Sequence, residues 1–308
     1  LTCSAGISVY PGDGSTLDVL FRHAEAAMYQ AKQNGRGRYR FFSHHLEVNA
    51  RARHLLEVHL REALSSGVLT VVYQPRYDAV HGTSCGMEAL VRWRRGDRLV
   101  SPAEFIPLAE ETGLIIPVGK QVLLQACADA RALQLAGQRM IVGVNISAVQ
   151  FREESFLSMI KEVLLDTGLP GELLELEITE SVVAHDMERT HTLLTELKRM
   201  GVRIAIDDFG TGYSSLSYLK KLPIDVLKID QSFIRDMLSD RSDAAIVEAI
   251  VRMGHALELE LVAEGVESAD QAEALLALGC ELMQGYHYCR PMSFEQVRQQ
   301  LSPPNARG

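Results

Sequence analysis

The chain has 308 residues, of which 47% are hydrophobic and 23% charged, an apolar share that supports a packed core and excludes global disorder. Lys and Arg number 31 against 40 Asp and Glu, so the net charge is −9, which makes the chain a poor non-specific binder of DNA or membranes. No run approaches the ~20 apolar residues of a membrane span, and the length fits two domains or one α/β barrel of about 250 residues with an appendage.

The opening run Leu1–Ser8 is apolar and reads as a cut through a domain, so a fragment of a longer protein is expected. Residues 1–43 read as strand, turn, helix and strand. The turn is Pro11-Gly12-Asp13-Gly14. Leu17, Leu20, Ala24, Ala27, Met28 and Ala31 repeat at helical spacing, Gly35 is expected to end that helix, and Tyr39–Phe42 to form the second strand. This small α+β remnant cannot bury a core alone. Residues 44–66 carry Val48, Ala52, Leu55, Leu56, Leu60, Ala63 and Leu64 on one side and read as an amphipathic connecting helix. His44-His45 reads as a solvated pair.

From 67 to 302, short apolar runs alternate with helical patterns, and 303–308 is a tail. The runs are Leu69–Gln74, Gly86–Trp93, Met140–Ile146, Leu173–Thr179, Arg203–Phe209, Val226–Asp230, Glu260–Ala263 and a weaker one near Glu281–Gln284. Capping boxes are expected at Ser101…Glu104, Ser268…Gln271 and Ser293…Gln296, and C-terminal glycine caps at Gly168, Gly201 and Gly279. Eight strands with intervening helices predict a (β/α)8 TIM-like barrel, with a doubly wound sheet as the competing architecture. No full helix separates the first two runs, so one antiparallel strand is expected. The five cysteines (Cys3, Cys85, Cys127, Cys280 and Cys289) lack Cys-x-x-Cys spacing. They read as reduced thiols of a cytosolic protein.

A polar or acidic residue sits late in nearly every run: Glu88, Asn145, Glu177 and Glu180, Asp207-Asp208, Lys228 and Asp230, Glu264 and Glu267, and Gln284. In a barrel those strand ends converge on one face, where active sites of this architecture lie. Five converging carboxylates (Glu88, Glu177, Asp207, Asp208, Glu264) repel one another unless cations neutralise them. An all-oxygen donor set favours Mg2+ or Mn2+ over zinc. Two ions sharing the double aspartate make a clamp for in-line phosphoryl displacement, with Lys228 stabilising developing charge. Each residue alone also fits a bland reading, as a solvated acid, a turn cap or a salt-bridged lysine; six strands repeating the pattern do not. The histidines show no ligand spacing, and the Gly- and Ser-rich stretch Asp207–Ser215 lacks P-loop spacing.

At these residues the sequence resembles the EAL family of cyclic di-GMP phosphodiesterases. The signature is Glu88-Ala89-Leu90 followed by Val91-Arg92-Trp93. The likeness continues through Tyr73-Gln74-Pro75, Ser101–Ile106, Glu111–Ile115, Asn145-Ile146-Ser147 and Glu175–Glu180. It extends through Ile206–Leu216, Lys228-Ile229-Asp230, Ala263–Glu267 and Gln284-Gly285-Tyr286, covering about residues 50–300. Residues 1–43 resemble the C-terminal part of a GGDEF (diguanylate cyclase-like) domain, through Ser4–Ser8, Ala26–Lys32 and Gly35-Arg36. The Gly-Gly-Asp-Glu-Phe loop is absent from this chain, and Glu25 replaces the more usual Asp.

The resemblance implies a barrel with one antiparallel strand that hydrolyses cyclic di-GMP to linear pGpG, with two Mg2+ or Mn2+ ions and with Ca2+ inhibitory. It implies Glu88, Asn145, Glu177 and Asp207 as ligands of one ion, and Asp207, Asp208 and Glu264 around the second ion and the attacking water. Lys228 matches the catalytic lysine, with Asp230 placed to hold it, and Glu180 matches the anchor of the loop after Asp208. Gln74, Leu90 and Arg92 match substrate contacts, Glu267 and Gln284 outer or guanine-contacting positions. The implied site is cytoplasmic, with no polymer or membrane partner, and the loop and helix at 209–220 resemble a homodimer surface. Two other classes compete: a non-catalytic cyclic di-GMP receptor, and a glycosidase using a carboxylate pair. Retention of every matched ligand argues against the first, and Lys228 with surplus carboxylates against the second.

Overall fold

The computed structural model describes residues 2–33, 37–183, 186–210 and 219–301. Gly35, His185, residues 211–218 of the expected dimer surface and the 303–308 tail lie outside the described residues, as do the side chains of His44 and His45. The chain divides into two compact units, Leu1–Ser66 and Gly67–Gly308.

In the smaller unit, strand β1 (Ala5–Ile7) pairs in parallel with β2 (Tyr39–Phe41), and helix α1 (Leu17–Gln33) makes the crossover. Ala27 and Ala31 of α1 are buried, and His23 stacks on Phe42 at 3.7 Å between ring centroids. Tyr10, Leu17, Phe21, Tyr39 and Phe41 remain exposed, as befits a unit too small to enclose its own apolar side chains. Helix α2 (His44–Ser66) follows.

The larger unit is a closed barrel. Its strands are β3 (Leu69–Asp78), β4 (Thr83–Arg95), β6 (Ile141–Ile146), β7 (Leu174–Thr179), β8 (Arg203–Phe209), β9 (Val226–Ile229), β10 (Glu260–Ala263) and β11 (Leu282–Met283). Around the ring the order is β3, β11, β10, β9, β8, β7, β6, β4 and back to β3. β3 runs antiparallel to both neighbours, and the other seven are mutually parallel. β3 and β4 are longer than their apolar runs, because the hairpin ladder continues through Arg76, Asp78 and Thr83. A further strand, β5 (Arg98–Val100), folds back on β4 across Gly96, whose φ of 57° suits glycine.

Helices α3 (Pro102–Thr112), α4 (Ile115–Leu135), α5 (Ala148–Phe151), α6 (Phe156–Thr167), α7 (Glu180–Val183) and α8 (Met187–Arg199) lie between the strands up to β8. Then come α9 (Gln231–Asp236), α10 (Arg241–Ala256), α11 (Ala269–Leu278) and α12 (Phe294–Leu301). The Ser268 and Ser293 capping pairs form, and Gly168, Gly201 and Gly279 take positive φ at helix ends. The Ser101 box does not form: its hydroxyl caps nothing, and Glu104 pairs with Arg98 at 2.7 Å. An unexpected box closes at Ser147 and Gln150.

The parallel strands are buried on both faces. Val142, Val144 and Ile146, then Leu174, Leu176 and Ile178, alternate with inward-facing positions and are all nearly inaccessible. Among the described residues no helix is long and apolar enough to cross a membrane.

Candidate active site

Period-two alternation aims one polar side chain from each parallel strand into the upper barrel. Glu88 follows Gly86, Asn145 follows Gly143, Glu177 follows Glu175 and Asp207 follows Ala205. Lys228 follows Val226, and just past their strands Glu264 follows Val262 and Gln284 follows Leu282. Ala205, Val226, Val262 and Leu282 pack together, so an apolar layer lies beneath the polar one.

Lys228 is the hub. Its ammonium is 2.5 Å from Glu177 Oε2, 2.6 Å from Glu264 Oε1, 3.2 Å from Asp207 Oδ1 and 3.8 Å from Glu88 Oε2. Asn145 Nδ2 donates to Glu88 Oε1 at 2.6 Å, and Gln284 Nε2 to Glu88 Oε2 at 2.6 Å. Gln284 also reaches Gln74 Oε1 at 3.2 Å, and Gln74 donates to the carbonyl of Cys289.

One ammonium among four carboxylates leaves negative charge in surplus. Burial pushes the Lys228 pKa down, but the four acids outweigh it and hold the group charged. Burial raises Glu88, yet Lys228 and the two amide donors win and keep it ionised. Glu177 goes the other way: burial and its acidic neighbours push its carboxyl well up despite Lys228. Burial, with Asp207 and Glu88 adding, takes Glu264 to about 8. Burial and Asp207 take Asp208 to about 6.

Strict alternation would turn Asp207 and Asp208 to opposite faces of β8. The register of β8 on β9 slips between Ile206 and Phe209, and Asp208 adopts a φ of 53°. Such irregularities re-aim side chains, and positive φ at a non-glycine residue marks stored strain. The result is that Asp207, Asp208 and Glu264 each bring a carboxylate oxygen within 4.8 Å of the others.

The remaining expected residues distribute around this cluster. Glu180, at the start of α7, accepts from the Gly210 amide at 3.1 Å and so meets the chain just after Asp208. Leu90 and Arg92 line a cavity of about 340 Å³ with Asn145 and Thr179. Glu267 is exposed just before α11, its amide capped by Gln271. Asp230 departs from expectation. Among the described residues it makes no hydrogen bond or ion pair with Lys228; its carboxylate caps α9 through the Ser232 amide at 2.9 Å and meets Asp208.

Two buried residues carried no role in the sequence reading. Arg76 donates to Glu175 Oε1 at 2.6 Å, and Arg203 Nε reaches Glu175 Oε2 at 3.2 Å, with Arg203 also on Glu260 at 2.9 Å. The same alternation could have found them, since Arg76 follows Gln74 and Glu175 precedes Glu177 by two.

A model of the EAL domain matches residues 57–291, and one of the diguanylate cyclase GGDEF domain matches residues 1–38. The chain belongs to the EAL domain family. It is 45% identical over 299 residues to the bifunctional diguanylate cyclase/cyclic di-GMP phosphodiesterase MucR of Pseudomonas aeruginosa, covering 96% of this chain and 44% of that protein. It is 41% identical to the cyclic di-GMP phosphodiesterase NbdA of the same organism, over 98% of this chain and 39% of that one. Among solved structures, the PaMucR phosphodiesterase in complex with c-di-GMP superposes with a TM-score of 0.77 at 45% identity, covering 79% of this chain and 99% of that one. The chain thus spans less than half the length of these curated relatives.

Proposed function

We propose that the barrel hydrolyses cyclic di-GMP to linear pGpG by metal-assisted attack of water on one phosphodiester. The observation that carries this reading is the convergence of five carboxylates around Lys228 at the carboxyl ends of the strands. Membership of the EAL family and the activities named for MucR and NbdA support it.

The residues fit divalent cations. The donors are all hard oxygens, and Glu88, Glu177, Asp207 and Glu264 crowd a single ammonium. Glu88, Asn145, Glu177 and Asp207 would hold one ion, and Asp207, Asp208 and Glu264 the second, with Mg2+ or Mn2+ in both. Bound there, such ions polarise the phosphoryl oxygens and acidify the attacking water.

The chain's own side chains orient the rest. Lys228 sits between Glu177, Asp207 and Glu264, where its protons steady the nucleophile and the charge growing on phosphorus-bound oxygen. The 3′ oxygen leaves. Arg92, half-buried beside Leu90, offers a forked donor to a phosphate or a guanine edge. Gln284 holds Glu88 and is itself held by Gln74, and Glu180 fixes the chain after the double aspartate. Glu267 is exposed beyond β10, and in this reading it serves as an outer contact for a guanine. Cations plus Arg92 let an acidic chain receive an anionic dinucleotide.

The test is product analysis of cyclic di-GMP incubated with this chain under Mg2+, Mn2+, Ca2+ or chelator. Linear pGpG with Mg2+ or Mn2+, and little with Ca2+ or chelator, is expected. Tight binding without product in any metal would replace the enzyme with a receptor.

A further inference from the structure

We propose that Arg76 is a positioning residue that holds Glu177 from beneath the site, so that one carboxylate oxygen faces down and the other faces the metal cluster. The proposal rests on the reading of Glu177 as a metal ligand.

Glu177 is divided between two cations. Its Oε2 meets Lys228 at 2.5 Å, and its Oε1 lies 3.6 Å from Arg76 Nη2. Oε1 takes no hydrogen bond among the described residues, and a Cβ built on Gly143 would come within 2.0 Å of it. Arg76 is therefore the charged group that meets this oxygen, inside a slot kept open by glycine.

Arg76 is itself fixed. It is 2% exposed and anchored on Glu175, whose second oxygen is taken by Arg203. The Arg76–Glu175–Arg203 chain carries one net positive charge, countered by Glu260 only at the far, more exposed end. Arg76 is the buried cationic end of that chain, and it is the end that faces Glu177. The antiparallel direction of β3 brings Arg76 to this depth, and the β3–β4 register shifts between Arg76 and Tyr77, the kind of irregularity that aims a side chain. Groups behind a metal ligand orient it, and their loss costs about 10–100-fold in metal affinity or activity.

The test is Mn2+ binding to the chelated chain, followed by calorimetry or by the electron spin resonance of free Mn2+, for wild type, Arg76→Gln and Arg76→Lys. Arg76→Gln is expected to weaken Mn2+ binding about 10-fold or more and to raise the Mn2+ concentration for half-maximal turnover, with KM for cyclic di-GMP unchanged. Arg76→Lys, which restores the charge, is expected to recover most of the loss. A folded Arg76→Gln that binds Mn2+ like wild type overturns the proposal. If Arg76→Gln does not melt cooperatively, the neutral pair Arg76→Met with Glu175→Gln takes its place, because it strands no charge. Failure of that pair to fold assigns Arg76 to folding alone and also overturns the proposal. Wild type that binds no Mn2+ sinks the metal reading itself, a result separate from equal binding by wild type and variant.

Discussion

The barrel encloses two clusters of charge that differ in how they are balanced. At the floor, Arg76, Glu175, Arg203 and Glu260 alternate in sign, and both oxygens of Glu175 are paired. At the mouth, Glu88, Glu177, Asp207 and Glu264 crowd one ammonium, with Asp208 alongside. The charges at the floor alternate and offset one another. The mouth holds more carboxylates than its one ammonium offsets. Burial alone therefore does not mark a functional site: Glu175 is as buried as Glu177. What separates them is whether the neighbours cancel the charge.

The largest effects should fall on opposite properties in the two clusters. Glu88→Ala removes a proposed metal ligand and leaves the Asn145 and Gln284 amides without their acceptor. Turnover of cyclic di-GMP is expected to fall on the order of 1,000-fold, while the chelated protein loses only about 1–3 kcal/mol of stability for the stranded donors. Retained turnover would refute the metal role of Glu88. Lys228→Met should lower kcat far more than it raises KM, by roughly 100-fold or more; a change confined to KM would refute its catalytic role.

Glu175→Ala is the floor counterpart. It leaves the Arg76 guanidinium buried without its anchor, and breaking a buried pair in this way costs about 3–5 kcal/mol. Chemical denaturation measures it. A loss under about 1 kcal/mol would mean that the floor is no more than a surface-like pair.

A pH series separates the clusters by linkage. Asp208 and Glu264 are raised in the folded chain, to about 6 and about 8. The folded state thus keeps protons that the unfolded chain has released. Their stabilising contribution is complete below the unfolded carboxyl values of about 4 and is lost as pH rises through the folded values. The chelated protein should melt at falling temperature from about pH 4.5 to 8, and saturating Mg2+ or the variant Glu264→Gln should flatten that slope. A melting temperature that rises across the window would contradict the acidic surplus at the mouth.

Much of this was legible in the chain. The recurrence of apolar runs ending in acids pointed to the barrel and to the convergence of its acids, because period two decides which side chains face inward, and the missing helix between the first two runs pointed to the antiparallel strand. Pairing and register were less legible. The strand β5 is three residues long and depends on a turn at Gly96, and β11 is too short for any periodic signal. The slip at Asp207-Asp208 depends on its neighbour β9, so the sequence alone showed two acids without the geometry that unites them. The family resemblance implies Asp230 as the holder of Lys228; the start of α9 takes its carboxylate, since an Asp before a helix satisfies open amides. Alternation from Gln74 places Arg76 on the inward face, but its role needs the partner Glu175 on a distant strand, which the sequence does not give.

The smallest effect sharpens the contrast most. Glu260 closes the floor chain at the rim, pairing with Arg203 at 2.9 Å, and its side chain is 40% exposed. Exposed pairs contribute about 0–1 kcal/mol, because water already solvates both charges. Glu260→Gln should therefore shift stability by no more than this, and leave turnover and Mn2+ binding unchanged. If the floor acts on the mouth through Arg76, its influence resides in the buried step from Glu175 to Glu177 and not in the rim. A Glu260→Gln variant that loses Mn2+ affinity as Arg76→Gln does would show that charge at the outer surface reaches the site, and that the two clusters form a single electrostatic unit.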